Sequence, residues 1–282
     1  MNLAPFLSFF WNIARHIAFI FDSDSPIPKN DLLLTYLNLK FQYVFLEKIP
    51  GRKMKNIKML GLNIACSDLR TVIRLYEEIF IRNIYFFKAK TKKPKIIDCG
   101  GHIGMSVLYF KLLYPHSTIL TFEPEKQTFE ILQKNILNNK LKDVMIKNYA
   151  LYDREGKLIL YLKNNDPVSG TGGITPRKNY SPQTVQTITL SRYLRGKIDY
   201  LKMDVEGAEM KVFADLDKNK KLRFVEKLTL EYHHHLQPEE DKLSKMLEIL
   251  EKNNFGYLIN AYFPSNATHQ KIQDVIIYAY QK

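Results

Sequence analysis

The sequence has little cysteine and a shortage of acidic residues. Cys66 and Cys99 are the only two cysteines among 282 residues. Cys99 lies inside a glycine-rich motif on an apolar strand pattern, so a framework of disulfides is excluded and a reducing, cytoplasmic location is expected. Asp and Glu number 29 against 42 Lys and Arg, which gives a formal net charge of +13. This balance favours an anionic partner or surface over a cationic one.

Long uninterrupted hydrophobic runs are also absent. The most apolar stretch, residues 3–21, is interrupted by Ser8, Asn12, Arg15 and His16, whose spacing places them along one side of a helix. Arg15 in the middle of a membrane span would cost about 2.5 to 3.5 kcal/mol. No basic segment precedes the run and no small-residue cleavage site follows it, which argues against a secretion signal. We predict a helix that contacts either a membrane surface or another domain or subunit.

The positive charge is concentrated in the first third of the chain. Residues 1–95 hold 16 Lys and Arg against 7 Asp and Glu, a net charge of +9. An anionic partner would therefore meet this part first. We predict a basic, mainly helical extension over residues 1–65, followed by one α/β domain over residues 66–282.

The centre of that domain is the stretch KIIDCGGHIG, residues 95–104. An apolar strand pattern runs into a glycine-rich turn, and a helix pattern follows from Met105 to Leu113. Gly100 and Gly101 remove Cβ atoms where the chain turns, and we expect them to let the backbone approach a ligand. The dinucleotide-binding fingerprint does not fit, because its third and sixth positions would be His102 and Met105 instead of glycine.

The spacing of Asp98, Gly100 and Gly104 instead fits the pattern of class I methyltransferases, which bind S-adenosylmethionine. The next strand pattern, residues 118–122, ends in Glu123 and Pro124. Glu123 lies 19 residues beyond Gly104, a position from which it would accept hydrogen bonds from both ribose hydroxyls of a nucleoside. Alternatively, Glu123 caps the helix that Pro124 allows to begin.

Two further strand patterns complete the candidate crevice. The third strand is predicted over residues 144–150, where Asn148 and Ala150 would flank an adenine in the class I layout. The stretch DYLKMDVEGAE, residues 199–209, repeats the order of apolar strand, acid, glycine and helix. Because the first and fourth strands are neighbours in a doubly wound sheet, Asp204 should face the same crevice as Asp98. The sequence lacks the Asn/Asp-Pro-Pro-aromatic motif here, which argues against methylation of a base nitrogen.

The remaining alternating patterns predict the sheet's edges. Residues 157–162 and 184–190 are predicted edge strands, and the long polar segment between them is predicted to be a substrate loop. Residues 255–262 and 274–280 are predicted to pair in antiparallel fashion at the other edge.

These motifs together resemble the FkbM family of S-adenosylmethionine-dependent methyltransferases over roughly residues 66–280. The resemblance is carried by IIDCGGHIGMSVLYF, TFEPEKQTFEILQKNI, NYALYDREGKLIL and IDYLKMDVEGAE. It implies a Rossmann-like sheet of seven strands, with helices on both faces and the last strand antiparallel. Members of the family are mostly O-methyltransferases that act on hydroxyls of sugars or sugar-decorated natural products. We therefore expect a small-molecule or glycan hydroxyl as the acceptor.

The resemblance also implies site residues. Those matching the family's cofactor motifs are Asp98, Gly100, Gly101, Gly104 and Glu123, and Asp204 matches the acid beside the methyl group. We add Pro124, Asn148 and Ala150 from their positions, and His102, which stands where the family often has Ala or Asn. Residues 1–65 match nothing assignable.

A hydroxyl acceptor requires a group that takes its proton. The fifth predicted strand, residues 225–232, ends in three consecutive histidines beside the fourth strand. We hypothesise that His233 or His235 is the base, and that Glu206 or Glu209 orients the base or the substrate. The histidines are alternatively exposed loop residues. They could also hold a divalent ion together with carboxylates, but their spacing is not diagnostic, and we predict no metal.

Two other functions remain open at the sequence level. The net charge favours RNA methylation, although no nucleic-acid motif supports it, and the basic first third would suit a non-catalytic module that binds an anionic partner. Oligomerisation also remains open.

Overall fold

The computed structural model describes residues 4–47, 56–164, 166, 168, 170, 172–234, 243–261 and 273–282. The α-helices, in chain order, are α1 Ala4–Asp22, α2 Lys29–Gln42, α3 Leu69–Leu75, α4 Met105–Leu113, α5 Lys126–Asn138, α6 Glu209–Lys218 and α7 Leu243–Lys252. The strands are β1 Asn56–Met59, β2 Leu62–Ala65, β3 Lys95–Cys99, β4 Thr118–Phe122, β5 Val144–Lys147, β6 Ala150–Leu151, β7 Gly156–Lys163, β8 Tyr180–Ile188, β9 Tyr200–Met203, β10 Lys227–His234, β11 Phe255–Ala261 and β12 Gln273–Gln281.

The central sheet has seven strands in the order β11-β12-β10-β9-β3-β4-β5. The strand pairs from β5 to β10 are parallel, whereas β12 is antiparallel to both of its neighbours, β10 and β11. One apolar cluster packs α3 and α4 against the sheet, and a second packs α6 and α7 against it. The predicted seven-stranded fold with helices on both faces and an antiparallel last strand is therefore confirmed.

A separate sheet of three strands, in the order β6-β8-β7, lies outside the central one. The sequence was right that β7 and β8 are strands, and their pairing partners are each other and β6. The third strand was predicted too long, because Ala150 and Leu151 pair with β8 instead of continuing β5. An alternating pattern shows that one face of a strand is buried, but it does not specify the partner strand.

The N-terminal part contains α1, α2 and a hairpin of β1 and β2. It shares one hydrophobic cluster with α3 and α4, so residues before and after the predicted boundary at 66 form a common core. The boundary itself remains a prediction. Among the described residues, no helix combines the length and the apolarity that a membrane span requires.

The predicted helix at residues 3–21 is present as α1, and its polar side is partly turned inward. His16 is buried, and its Nδ1 lies 3.0 Å from the hydroxyl of Tyr36 on α2. Four large aromatic residues of α1 are exposed instead, namely Phe10, Trp11, Phe19 and Phe21. Contact of this surface with a membrane or a second copy remains a prediction.

Candidate active site

A cavity of about 450 Å³ opens at the carboxyl ends of β3, β4, β9 and β10. Its volume lies within the range of about 300 to 1,000 Å³ that is usual for small-molecule sites. The segments after β3, β4 and β9 and the end of β10 supply its polar lining, and the three-stranded sheet covers one side with Leu158, Leu160 and Leu162. Ligands in open α/β sheets bind at this edge, where the strand order reverses.

The glycine turn after β3 lines one wall of the cavity. Gly100 has a φ of +94°, and a Cβ there would lie 1.9 Å from the carbonyl oxygen of Asp204. A Cβ on Gly101 would lie 2.3 Å from Thr121 Oγ1, and one on Gly104 would lie 2.8 Å from Leu132. The sequence predicted glycines here for ligand approach, but the structure adds a second reason, which is the close packing of the neighbouring chain segments.

Asp98 lies beneath this turn, outside the cavity lining. It is fully buried, and its Oδ2 accepts hydrogen bonds from Ser106 Oγ at 2.7 Å and Thr121 Oγ1 at 3.1 Å. These contacts join the end of β3 to α4 and β4. The structure therefore places Asp98 where it supports the turn from below.

Lys202 is a buried cation beside Asp98 that the sequence reasoning did not single out. Its Nζ donates to the carbonyl of Gly100, and lies 3.3 Å from Asp98 Oδ1 and 3.5 Å from Asp204 Oδ2. Burial alone would lower the pKa of Lys202, but the two carboxylates outweigh it and raise the pKa. The sequence feature that could have identified Lys202 is the presence of a lysine inside an otherwise apolar strand pattern.

Glu123 lies at the end of β4 with its carboxylate at the cavity. It accepts the backbone N–H of His102 at 2.8 Å and that of Glu125 at 2.9 Å. Burial raises the pKa of Glu123 to about 7, although both hydrogen bonds act in the opposite direction. The cap of α5 is Glu125, whose side chain accepts two backbone N–H groups of the helix. Glu123 is thus not the residue that caps the helix.

The other predicted nucleoside contacts divide into two groups. Pro124 and Ala150 line the cavity, together with Tyr149. Asn148 is exposed, and its amide donates to the carbonyls of Glu123 at 2.8 Å and Pro124 at 3.1 Å. The structure therefore places Asn148 where it holds the backbone that carries Glu123.

His102 lines the cavity in a left-handed conformation, with a φ of +47°. Its Nε2 lies 2.9 Å from the carbonyl of Val168, so the ring donates to a segment that follows β7. Burial lowers the pKa of His102 to about 4, which keeps the ring neutral. His102 therefore connects the glycine turn to the segment that the sequence predicted as a substrate loop.

The opposite end of the cavity holds His233 among carboxylates from two strand ends. His233 Nδ1 lies 2.9 Å from Glu209 Oε1, and both side chains are more than nine-tenths buried. The Nε2 atom lies 3.5 Å from Glu206 Oε2 and 4.0 Å from Asp204 Oδ1. Burial would lower the pKa of His233, but Glu209, Glu206 and Asp204 raise it well above its ordinary value.

The carboxylates at this end also affect one another. Burial and the charge of Asp204 raise the pKa of Glu206 and of Glu231 to about 8, while His233 acts in the opposite direction on both. Asp274, which pairs with His233 across β10 and β12, lines the same region. Among the residues that the structure describes, two groups have ligand atoms close enough to hold a metal ion, namely Asp204, Glu206 and His233, and Glu231, His233 and Asp274. His235, the second predicted base, lies outside the described residues.

The structure thus brings most of the predicted site residues together around one cavity. A glycine turn and Glu123 form one end, and Asp204, Glu206 and His233 form the other. With a sheet of this strand order, the chain has the class I methyltransferase fold, and the cavity lies at the carboxyl ends of the strands where open α/β sheets bind their ligands.

Comparison with known proteins identifies the family. The model of the methyltransferase FkbM domain matches residues 98–259, so the chain belongs to the FkbM methyltransferase family. Methyltransferase 1 from Beauveria bassiana (strain ARSEF 2860) is 29% identical over 165 residues, which cover 51% of this chain and 66% of that protein. Methyltransferase sdnD from Sordaria araneosa is 30% identical over 177 residues, which cover 51% and 68%.

The matched part of the chain thus spans about two thirds of the length of these relatives. Among solved structures, methyltransferase FkbM from Methylobacillus flagellatus KT is similar with a TM-score of 0.48 and 14% identity. That likeness covers 75% of this chain and 53% of the other.

The chain therefore contains a methyltransferase domain of the FkbM family, and the cofactor of this fold is S-adenosylmethionine. The residues present fit this cofactor. The glycine turn and the carboxylate of Glu123 line one end of the cavity, and Glu123 Oε2 accepts the backbone N–H of His102 at 2.8 Å. The pair of polar ends suits a ligand that is a nucleoside at one end and a sulfonium at the other.

Proposed function

We propose that the protein transfers a methyl group to a hydroxyl of a sugar or of a glycosylated small molecule. The observation that carries the proposal is the buried pair of His233 and Glu209, whose free ring nitrogen faces the cavity beside Asp204 and Glu206. An alcohol is a poor nucleophile until a base accepts its proton, and His233, oriented by Glu209, could accept that proton.

The cofactor contacts are assigned to the glycine end of the cavity. Glu123 would accept the ribose hydroxyls, since each of its oxygens has one backbone donor and keeps acceptor capacity. Gly100 and Gly101 would adjoin the ligand, while Pro124 and Ala150 would pack against the adenine. Asp204 would lie beside the sulfonium, which supplies an electrophilic methyl group for in-line displacement by the acceptor oxygen. The chain mainly aligns the two reactants.

The proton is assigned to His233 Nε2. Glu209 accepts the Nδ1–H, which fixes the ring so that the Nε2 lone pair points into the cavity. As the acceptor oxygen attacks, its proton moves to Nε2, and the neighbouring carboxylates stabilise the imidazolium that forms. Glu206, whose Oε2 lies 3.5 Å from Nε2, would orient the acceptor hydroxyl toward the base.

The experiment is turnover of His233→Ala on a panel of glycans and glycosylated small molecules, read as a mass increase of one methyl group. We expect kcat of His233→Ala to fall roughly 10²- to 10⁴-fold, because a general base typically contributes a factor of that size. His116→Ala is the matched control, because His116 is exposed and outside the cavity lining. Cofactor binding by calorimetry should change little in either variant.

Each assay is repeated with EDTA. Unchanged turnover of His233→Ala would contradict the base assignment. Activity that EDTA abolishes and a divalent ion restores would instead assign Asp204, Glu206 and His233 as metal ligands. Methylation of RNA but of no glycan or glycosylated compound would contradict the proposed acceptor class.

A further inference from the structure

We propose that Lys202 is a positioning residue for methyl transfer: its ammonium group holds the Asp204 carboxylate and the Gly100 carbonyl in place at the methyl-donor end of the cavity. The proposal rests on the methyltransferase activity and on S-adenosylmethionine as the donor, and it is independent of the acceptor. Lys202 touches no reacting atom and acts through the groups that it holds.

The position of Lys202 follows from the strand register. Lys202 is directly opposite Asp98 in the parallel pair of β9 and β3. Asp204 follows two residues later, directly after the end of β9, and its Oδ2 lies 3.5 Å from Lys202 Nζ. From there Nζ reaches the turn after β3 and the turn after β9 at once. One side chain thus joins the two strand ends that form this part of the site.

The surroundings of Lys202 are unfavourable for a cation without specific partners. Its side chain is 3% exposed, and all residues of β9 are buried. A buried ammonium group costs several kcal/mol of folding free energy unless charges and hydrogen bonds compensate it. A leucine or methionine at this strand position would carry no such desolvation cost. Two carboxylates, one carbonyl and the face of Tyr85, 5.2 Å away, supply the compensation.

The turn after β3 and the turn after β9 bring oxygen atoms close together, namely the Gly100 carbonyl and the Asp204 carboxylate. A cation between them is needed to offset their repulsion. Gly100 is so close to Asp204 that no Cβ fits between them. The Asp204 carboxylate is also repelled by the buried carboxylates of Glu206 and Glu231. Within the described residues, Lys202 is the only lysine or arginine in an ion pair with Asp204. Without this ammonium group, we expect the Asp204 side chain and the Gly100 carbonyl to move apart.

The test compares Lys202→Met with Lys111→Met as a matched control. Lys111 is also a buried lysine with a backbone carbonyl partner, but it lies outside the cavity lining. Cofactor Kd is measured by calorimetry, and kcat and KM by methyl transfer. The contacts of a charged group are worth about 1.5 to 3 kcal/mol, so we expect the cofactor Kd of Lys202→Met to rise roughly 10- to 100-fold. The acceptor KM should be unchanged, and the cofactor Kd of Lys111→Met should stay within about threefold of wild type.

A double-mutant cycle separates positioning from a general loss of structure. In an Asp204→Asn background only the contact with the Gly100 carbonyl remains to be lost, so adding Lys202→Met should raise the cofactor Kd by a smaller factor than it does in the wild-type background. Equal effects of Lys202→Met in both backgrounds would overturn the proposal, as would wild-type cofactor binding by Lys202→Met. If Lys202→Met does not fold, Lys202→Gln carries the same cycle with the same two contradicting results.

Discussion

At the scale of single residues, the candidate active site contains more carboxylates than cationic side chains. Asp204, Glu206, Glu209 and Glu231 surround one histidine, and the pKa of Glu206 and Glu231 rises to about 8. Such perturbed groups collect where chemistry takes place, because the same burial that shifts a pKa also prepares a group to exchange a proton. The sequence predicted His233, Glu206 and Glu209 as site residues because they lie near the ends of strands. The distances between these side chains could not be predicted from the sequence.

These shifts predict the direction of the pH dependence of activity. The pKa of His233 is raised well above its ordinary value, and a base must be unprotonated to act. We therefore expect kcat/KM to rise as pH increases from 7 to 9. Glu206→Gln should move this rise to lower pH, because it removes one carboxylate that raises the pKa of His233. Glu130→Gln, an exposed control, should leave the profile unchanged. A wild-type profile that falls over this range would contradict the assignment.

At the scale of elements, the site depends on how closely two strand–turn–helix units meet. The unit of β3 and α4 and the unit of β9 and α6 place their turns in direct contact, with Asp204 N donating to Cys99 O at 3.0 Å. The left-handed φ of Gly100 and the missing Cβ are what make this contact sterically allowed.

Gly100→Ala should consequently cost both stability and cofactor binding. The left-handed backbone alone costs an alanine roughly 1 to 2 kcal/mol, and the overlap with the Asp204 carbonyl adds to it. We expect a lower Tm and weaker binding of S-adenosylmethionine. Gly196→Ala is the matched control, since a Cβ there has no atom within 4 Å. Equal Tm values for the two variants would show that the close approach of the turns is not constraining.

At the scale of the whole molecule, the N-terminal helices are joined to the cavity wall through polar contacts. Glu77, beside the cavity-lining Glu78, lies 2.6 Å from Lys40 of α2 and 3.5 Å from His16 of α1. The outer surface of α1 keeps its exposed aromatic residues. Liposome flotation with and without residues 1–22 tests membrane contact there, and equal flotation would remove that interpretation.

The buried His16 predicts an acid-sensitive attachment of these helices. Burial lowers the pKa of His16 from its ordinary value of 6.5, although Glu77 acts in the opposite direction. The unfolded chain therefore binds a proton that the folded chain resists, and stability should fall as pH decreases below 6.5. His16→Gln keeps a hydrogen-bonding side chain without this titration, so its Tm should fall less between pH 7 and 5.5. His116→Gln should behave as wild type does, and identical pH slopes for all three proteins would contradict the prediction.

The sequence by itself determined the strands and helices of the central domain and the acids at the strand ends. Asp98, Glu123 and Asp204 could be placed because apolar strand, acid and glycine follow one another locally, and a parallel sheet brings such ends to one edge. Only the tertiary structure decided that β6, β7 and β8 form their own sheet, that His102 bonds to Val168, and that Lys202 connects two turns. Those features depend on contacts between residues distant in the chain, for which a local pattern carries no signal.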